Sequence, residues 1–212
     1  MNEVIVSNLE EVSYDNNIRQ ISLQLDKHNR YTLAYSLWGT PRSSFPVVQF
    51  AIAYSDNCIF LKFYVKEKQF RAVNTVCNDP VWEDSCVEFF IAFNETGYYN
   101  FEFNCIGTTL LGFGKDKQNR ILLPPEIISK IKCYSTIKIE TEMSIDWELA
   151  ISIPLEVFSC QEIETLQNKE CRANFYKCGD LLPEPHYLSW NNIIHPEPNF
   201  HLPVFFGKLF FD

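Results

Sequence analysis

Polar side chains alternate with apolar ones along several segments of the sequence, and together they could bind a hydroxyl-rich ligand. Residues two apart in a β-strand project from the same face, so this alternation would bring the polar ones to one face of a sheet. Carboxylate, amide and guanidinium groups on rigid strands offer hydrogen-bond donors and acceptors in fixed positions. The alternative is an ordinary solvated face, which antiparallel sheets often have. The residues concerned are Glu88, Glu102, Asn104, Glu148, Arg172 and Asn174.

The elements that must position these side chains are predicted to be strands. Nine segments are rich in Val, Ile, Phe and Tyr and are separated by Asp, Asn, Gly or Pro clusters, which is typical of β-strands. They cover residues 18–25, 47–54, 58–65, 85–93, 98–106, 136–142, 147–153, 172–177 and 204–211. Helical signals are confined to 125–132, 154–158 and 160–168. No linker or repeat divides the chain, so we expect one domain over residues 1–212, an all-β antiparallel β-sandwich with a few short helical turns.

Composition excludes several classes of protein. The chain has 212 residues, of which 46% are hydrophobic and 15% aromatic, so a sizeable core is possible and an intrinsically disordered chain is excluded. No apolar run approaches the roughly 20 residues of a membrane helix, and no signal peptide is recognisable at the start. These features predict a soluble cytoplasmic protein, or a periplasmic or secreted one if a signal has been removed.

Charge and cysteine usage narrow the expected partners. The net charge of −9, from 27 acidic and 18 basic residues, disfavours nucleic acid and anionic membrane surfaces as partners. The eight cysteines include no Cys-x-x-Cys pair and the four histidines are scattered, so a structural zinc site is weakly supported. Several cysteines fall in apolar segments, which predicts mostly reduced thiols. No Asp-rich loop fixes a calcium site, so no cofactor is predicted, and the sequence gives no oligomeric state.

Three stretches follow one another in a characteristic order. The first runs from Pro80 to Phe90 and places Trp82 shortly before Asp-Ser-x-x-Glu, which ends at Glu88. The others are Trp147 to Phe158, a strand ending in Ile-Pro, and then Arg172 to Phe175, Leu188 to Trp190 and Phe200 to Gly207. Together these stretches resemble the family-nine carbohydrate-binding modules, and more closely the family-nine-like domains of polysaccharide-degrading bacteria. The resemblance implies a β-sandwich that binds a saccharide without catalysis.

The resemblance also implies a binding site. In the family, two aromatic side chains clamp a terminal sugar ring, while charged and amide groups on neighbouring strands bind its hydroxyls. Trp82 stands at the first clamp position and Glu88 at that of an acidic ligand. Phe200, with His201 beside it, stands at the second clamp position, and Glu102 stands where an arginine is expected. The predicted ligand-binding residues are Trp82, Glu88, Asn104, Arg172, Asn174, Phe200 and His201.

Two other function classes stay open. Phe200, Phe205 and Phe206 near a sheet edge could form an aromatic surface that binds a protein. Glu88 and Glu102 could meet across a hairpin as a glycosidase pair, which needs carboxylates about 5 to 10 Å apart. The sequence contains no Gly-x-Ser-x-Gly, His-Glu-x-x-His or phosphate-binding loop, so catalysis is the less favoured alternative.

Overall fold

Strands dominate the computed structural model, which describes residues 1–9, 12–39, 45–55, 57–141 and 144–212. The helices are α1 (Ile18–Leu25) and α2 (Pro125–Ile128), with 3-10 turns at Val81–Glu83, Leu155–Val157 and Pro203–Phe205. No helix in these ranges is long and apolar enough to span a bilayer. The strands are β1 (Glu3–Asn8), β2 (Tyr31–Thr32), β3 (Tyr35–Ser36), β4 (Val47–Ser55), β5 (Cys58–Glu67), β6 (Cys86–Asn94), β7 (Gly97–Asn104), β8 (Thr109–Gly114), β9 (Ile121–Leu122), β10 (Lys132–Thr141), β11 (Ser144–Pro154), β12 (Glu170–Cys178), β13 (Tyr187–Ser189) and β14 (Gly207–Phe211).

The strands form one curled, mixed sheet in the order β10-β11-β5-β4-β1-β14-β12-β6-β7-β8-β9. Strand β1 joins its two halves. Its first residues pair in parallel with β14, and its last two pair in parallel with β4. The prediction of a purely antiparallel sheet is therefore wrong at β1. Parallel neighbours need long connections, and β1 is separated from both partners by long stretches of chain.

The two halves face each other across an aromatic core. Phe50 of β4 stacks on Phe175 of β12 with ring centroids 3.7 Å apart, and Phe63 of β5 lies 6.4 Å from the same ring. Trp190 meets Phe50 and Phe175 edge-on. Residues of odd number on β6, β7 and β12 point into this core, so residues of even number point away from it. The core therefore fixes the direction in which Glu88 and Glu102 project.

Residues 18–25 form helix α1, and the strand predicted there is wrong. Ile21, Leu23 and Leu25 alternate as in a strand, but Leu23 is 60% exposed while Ile21 and Leu25 are buried. Spacings of three and four residues therefore govern burial, as in an amphipathic helix. The side chain of Asn17 accepts a hydrogen bond from the Arg19 N–H and caps the first turn, which favours a helix start.

Other boundaries also differ from the prediction. β1 and β8 were not predicted, and β8 contains two glycines, which weaken a strand pattern. No helix forms over the described residues 160–168, where helical turns were predicted, and α2 ends at Ile128, four residues before β10 begins at Lys132. Residue 142 of the predicted segment 136–142 lies outside the described residues. All eight cysteines are unpaired in the structure.

A charged group of residues is buried where β5, β11 and β12 meet the segment before β13. The Nζ atom of Lys177 lies 2.9 Å from Oε2 of Glu67, and the indole N–H of Trp147 donates to Oε1 of the same carboxylate at 2.6 Å. Lys177 also lies 2.8 Å from Nε2 of His186. Since an ammonium group can only donate, this ring nitrogen accepts, and His186 is neutral in the fold.

We expect His186 to make the fold sensitive to acid. Burial and, second, the charge of Lys177 lower the pKa of His186 to about 2, whereas an unfolded histidine titrates near 6.5. Between these values only the unfolded chain binds this proton. The contribution of His186 to stability is therefore present above about pH 6.5 and is lost as the pH falls, by up to about 1.4 kcal/mol per pH unit. In His186→Gln, the free energy of unfolding should fall less steeply between about pH 6 and pH 4, as measured by urea denaturation.

The matched control is His28→Gln, since His28 is only partly buried in the turn after α1. This variant should keep the wild-type dependence of stability on pH. An equal slope for His186→Gln and the wild type would contradict the proposed linkage.

Candidate functional site

A cavity of about 210 Å³ lies on the face of β6, β7 and β12 that points away from the core. The sheet contributes Glu88, Glu102 and Cys178 to its lining. The loops and turns around it, together with the start of β13, contribute aromatic, charged and polar side chains. These are Trp38, Trp82, Lys117, Arg120, Asp180, Tyr187, Pro198, Asn199, Phe200 and His201.

The polar face predicted from strand alternation is present but is not solvated. A second apolar cluster covers it, with Phe90 and Tyr176 on the strands and Phe200 and Phe206 on the segment before β14. Glu88 and Glu102 are consequently only 3% and 2% exposed. A solvated face is thus the wrong interpretation, and the carboxylates lie between the sheet and the loops that cover it.

The structure brings four of the predicted ligand-binding residues to this cavity: Trp82, Glu88, Phe200 and His201. Trp82 lies in the 3-10 turn after Pro80, where its carbonyl accepts a hydrogen bond from the Asp180 N–H at 3.0 Å. Its side chain is half-buried, and in the described structure it makes no ring-to-ring contact. The Trp82 ring packs against the second apolar cluster and stays partly exposed where it lines the cavity, so it is accessible to a ligand.

Phe200 has less free surface than Trp82. Its ring stacks on Tyr176 with centroids 4.2 Å apart and lies 5.7 Å from Trp38, which leaves it 8% exposed. His201 follows it, with Nδ1 2.9 Å from the Tyr98 hydroxyl and Nε2 2.9 Å from an Arg120 nitrogen. Since arginine only donates, Nε2 accepts and Nδ1 carries the proton.

Asn104 and Asn174 lie on the same face as Glu88 but do not line the cavity. The register places Asn104 opposite Cys86 and Asn174 opposite Phe90, each two residues along the strand from Glu88. That step moves a side chain by about 6.6 Å. The Asn104 amide donates to Asp84 Oδ2 at 3.0 Å, and the Asn174 amide donates to the Asn191 carbonyl at 3.0 Å. Both residues hold neighbouring loops in place.

Arg172 lies further along β12, opposite Ala92. Its guanidinium donates to the carbonyls of Val204 and Phe206 at 3.1 and 2.9 Å. It lines a separate groove of about 630 Å³, away from Glu88. Glu148, the remaining polar strand residue, lies on β11 in the other half of the sheet, where Lys62 pairs with it at 2.7 Å. The residues that were predicted to share one polar face therefore lie in several different environments.

The loop between β8 and β9 supplies two cations that sequence reasoning missed. Nη1 of Arg120 lies 3.4 Å from Oε1 of Glu102 and also contacts His201, while Lys117 lines the cavity beside it. The resemblance expected an arginine at the position of Glu102, and the structure places a guanidinium beside that carboxylate from a different segment. A short charged loop between strands carries no sequence signal that points to a site.

Trp38, Tyr187 and Asp180 were also missed. Trp38 adopts a left-handed backbone conformation with φ of 50°, which is rare for a bulky residue and is found at functional sites more often than elsewhere. Its indole N–H donates to the His195 carbonyl at 2.7 Å, and its ring meets Tyr187 edge-on. The Tyr187 hydroxyl hydrogen-bonds to Asp180. The sequence signal available for this wall was an aromatic residue directly before a glycine, Trp38-Gly39.

Burial reduces the charge of the cavity. It raises the pKa of Glu102 to about 7, although Arg120 opposes the shift, and it raises the pKa of Glu88 well above its usual range. Burial and then the charges of Arg120 and Lys117 lower the pKa of His201 to about 3, so its ring is neutral. The cavity thus combines the cations Arg120 and Lys117, acidic groups whose charge is reduced by burial, and aromatic walls, a set that offers hydrogen-bond donors and acceptors to a polar ligand.

Residues that could hold a metal ion lie at the floor of the cavity. Cys86, Glu88 and Cys178 place their ligating atoms within 4.8 Å of one another, and all three side chains are buried. They are the one group of this kind in the described part of the chain.

Comparison with known proteins agrees with the geometry. The sequence model described as carbohydrate-binding family 9 matches residues 18–211. A presumed carbohydrate-binding protein from Bacteroides uniformis ATCC 8492 has a crystal structure that is similar with a TM-score of 0.90 and 34% identity, over 99% of each chain. No curated protein sequence matches the chain.

Two structures of a family 9 module from Caldicellulosiruptor kristjanssonii are also similar. The complex with glucose has a TM-score of 0.63 at 10% identity and covers 100% of this chain and 96% of that one. The complex with cellotriose has a TM-score of 0.62 at 11% identity and covers 99% and 93%. At these identities the similarity concerns the fold alone.

We expect Arg120 to stabilise the cavity through its two buried partners. Arg120→Ala removes the cation beside Glu102 and the donor to His201, so the free energy of unfolding should fall by about 1–3 kcal/mol. Urea denaturation measures this change. Lys115→Ala is the control, because Lys115 is exposed on the same loop and its removal should cost less than about 0.5 kcal/mol. Equal effects of the two substitutions would contradict the role of Arg120.

Proposed function

Because the chain belongs to carbohydrate-binding family 9, we propose that it is a non-catalytic binding module that holds a saccharide in the cavity beside Trp82. The observation that carries the proposal is the joint lining of one cavity by a half-buried tryptophan and by Glu88, Glu102 and Arg120. Pyranose rings have apolar C–H faces and polar rims. An aromatic wall with fixed hydrogen-bonding groups around it complements both parts.

The size of the cavity favours a short ligand. At about 210 Å³ it is smaller than the roughly 300–1,000 Å³ of pockets that hold drug-sized molecules. One sugar ring, free or at the end of a chain, fits this space better than the middle of a polysaccharide does. The family 9 module from Caldicellulosiruptor kristjanssonii was solved with glucose and with cellotriose, so these two sugars are suitable probes.

Trp82 is proposed as the main stacking residue. Phe200 is almost covered by Tyr176 and Trp38, so it offers an edge to the ligand and supports the wall from behind. The half-buried rings of Trp38 and Tyr187 supply the remaining aromatic surface opposite the strands. The second wall would then be formed by several residues in place of a single clamp residue.

The hydroxyl groups of the sugar would be bound by the charged and polar side chains of the cavity. The carboxyl groups of Glu88 and Glu102 can accept hydrogen bonds, and the guanidinium of Arg120 donates them. His201 orients Arg120 through its Nε2 atom. Asn104, Arg172 and Asn174 would support the site indirectly, since their side chains bind the backbone and side chains of the surrounding loops.

The protein-binding alternative finds less support in the arrangement of the aromatic residues. Phe206 is fully buried and Phe200 is nearly so, because both cover the outer face of β6 and β12. An aromatic surface that binds a protein would need them exposed.

We expect Trp82→Ala to weaken saccharide binding by about ten- to a hundredfold. A lost stacking contact costs on the order of 1 to 3 kcal/mol, and each 1.4 kcal/mol corresponds to tenfold in affinity. Isothermal titration calorimetry with glucose and cellotriose measures the effect. Tyr134→Ala is the control, because it removes a half-buried aromatic ring from β10 in the other half of the sheet. Unchanged affinity in Trp82→Ala would exclude the stacking role.

Glu88→Gln should weaken binding less than Trp82→Ala does. The amide oxygen of glutamine still accepts a hydrogen bond. The loss of saccharide affinity is therefore limited to the difference between a carboxyl group and an amide as acceptors. The same calorimetric titration compares the two variants. A Glu88→Gln chain that binds more weakly than Trp82→Ala would show that the carboxylate dominates, and a wild-type chain that binds no sugar would overturn the proposed function.

A further inference from the structure

Two thiols and a carboxylate converge at the floor of the cavity. Cys86 of β6 and Cys178 of β12 lie opposite each other in the register of these antiparallel strands, and Glu88 follows two residues after Cys86 on the same face. Sγ of Cys178 lies 3.2 Å from Oε1 of Glu88, and all three ligating atoms lie within 4.8 Å of one another. Neighbouring strands of the sheet hold the three residues, so their arrangement is rigid.

The carboxylate of Glu88 differs from the other buried acidic groups in its surroundings. The others lie beside cations, in the pairs Glu67–Lys177, Asp84–Arg71 and Glu102–Arg120. Glu88 forms no ion pair within the described ranges, and its hydrogen bond comes from the Cys178 thiol, a weak donor. A buried carboxyl group ionises only at a cost when no positive group lies beside it, and a bound cation would supply that positive group.

We propose that Cys86, Cys178 and Glu88 form a binding site for a thiophilic divalent metal ion, zinc above all. Thiolate sulfur and carboxylate oxygen are both zinc ligands, whereas calcium and magnesium prefer oxygen alone. At zinc bond lengths, tetrahedral ligands lie roughly 3.6 to 3.8 Å apart, and the three donors are within reach of that spacing.

The position of the site gives it a relation to the cavity. Glu88 and Cys178 line the cavity while Cys86 lies behind them, so a fourth ligand would come from the cavity as water or a ligand hydroxyl. Binding would release the thiol protons, since zinc is bound by thiolate. With two thiolates and one carboxylate as ligands, the zinc site would carry a net charge of about −1. The positive charges of Arg120 and Lys117 on the cavity wall complement this charge.

The test is a zinc titration of the full chain after reduction and removal of metal, against a chromophoric chelator and without sugar. One zinc ion should bind per chain. Glu88→Gln should lower the affinity at least tenfold, and Cys86→Ser and Cys178→Ser should lower it further. Cys171→Ser is the matched control, because Cys171 is also buried on β12 but lies outside the cluster; it should leave zinc affinity unchanged.

Cobalt bound to the unaltered chain provides a readout that does not depend on any variant folding. Tetrahedral cobalt with thiolate ligands should give intense visible bands and a thiolate-to-metal charge-transfer band. Absence of that band, zinc binding that survives Cys86→Ser, or equal loss in Cys171→Ser would each overturn the proposal. Because no sugar is present, failure of the metal site leaves the saccharide proposal intact, and the reverse also holds.

Discussion

Burial of both faces of β6, β7 and β12 is the constraint on which the rest of the structure depends. One face stacks Phe89, Phe101 and Phe175 into the aromatic core. The other face is covered by the segment before β14, although it carries Glu88 and Glu102. Burying carboxylates requires partners for them, so the loops around this face must supply cations and donors as well as apolar cover. The cavity lies where that cover is incomplete.

The covering loops are also held by hydrogen bonds from amide side chains on the strands and in the loops themselves. The Asn174 amide reaches the Asn191 carbonyl, and Asn191 in turn donates to the Phe205 carbonyl. At the other end of the strands, Asn104 contacts Asn74 and Asp84. Side chains that look like ligands in the sequence therefore determine where the true lining residues lie. The strand register explains this difference. A side chain two residues along the strand from Glu88 contacts the covering loops and does not line the cavity.

The sequence predicts the strands of this fold better than it predicts their partners. Segments rich in Val, Ile, Phe and Tyr identify β4, β5, β6, β7, β11 and β12, although the burial of β5, β6 and β7 on both faces does not follow from that pattern. The pattern fails at α1, where Ile21, Leu23 and Leu25 alternate as in a strand although only Ile21 and Leu25, four residues apart, are buried. The parallel pairing of β1 is set by tertiary packing and leaves no local pattern.

The site was predictable to the extent that strand alternation and resemblance determine it. Trp82 and Glu88 come from one continuous stretch, so their proximity follows from local sequence, and Phe200 and His201 follow from the resemblance. Arg120 and Trp38 come from loops whose course depends on the whole fold, and the thiols of Cys86 and Cys178 meet only through the pairing of distant strands. No motif spacing could reveal these contacts, since each depends on pairing between segments far apart in the chain.

The parallel pairing of β1 with β14 determines how the fold carries mechanical load. Glu3 lies beside Lys208 and Val6 beside Phe211, so the two strands run in the same direction. Tension applied before Glu3 and after Phe211 pulls them in opposite directions along their length, and the bonds from Lys208 to Asn2 and from Asp212 to Val6 are loaded together. Shear of this kind resists separation better than peeling one bond at a time. A module that holds a saccharide while its two ends are pulled apart would keep its fold under such tension.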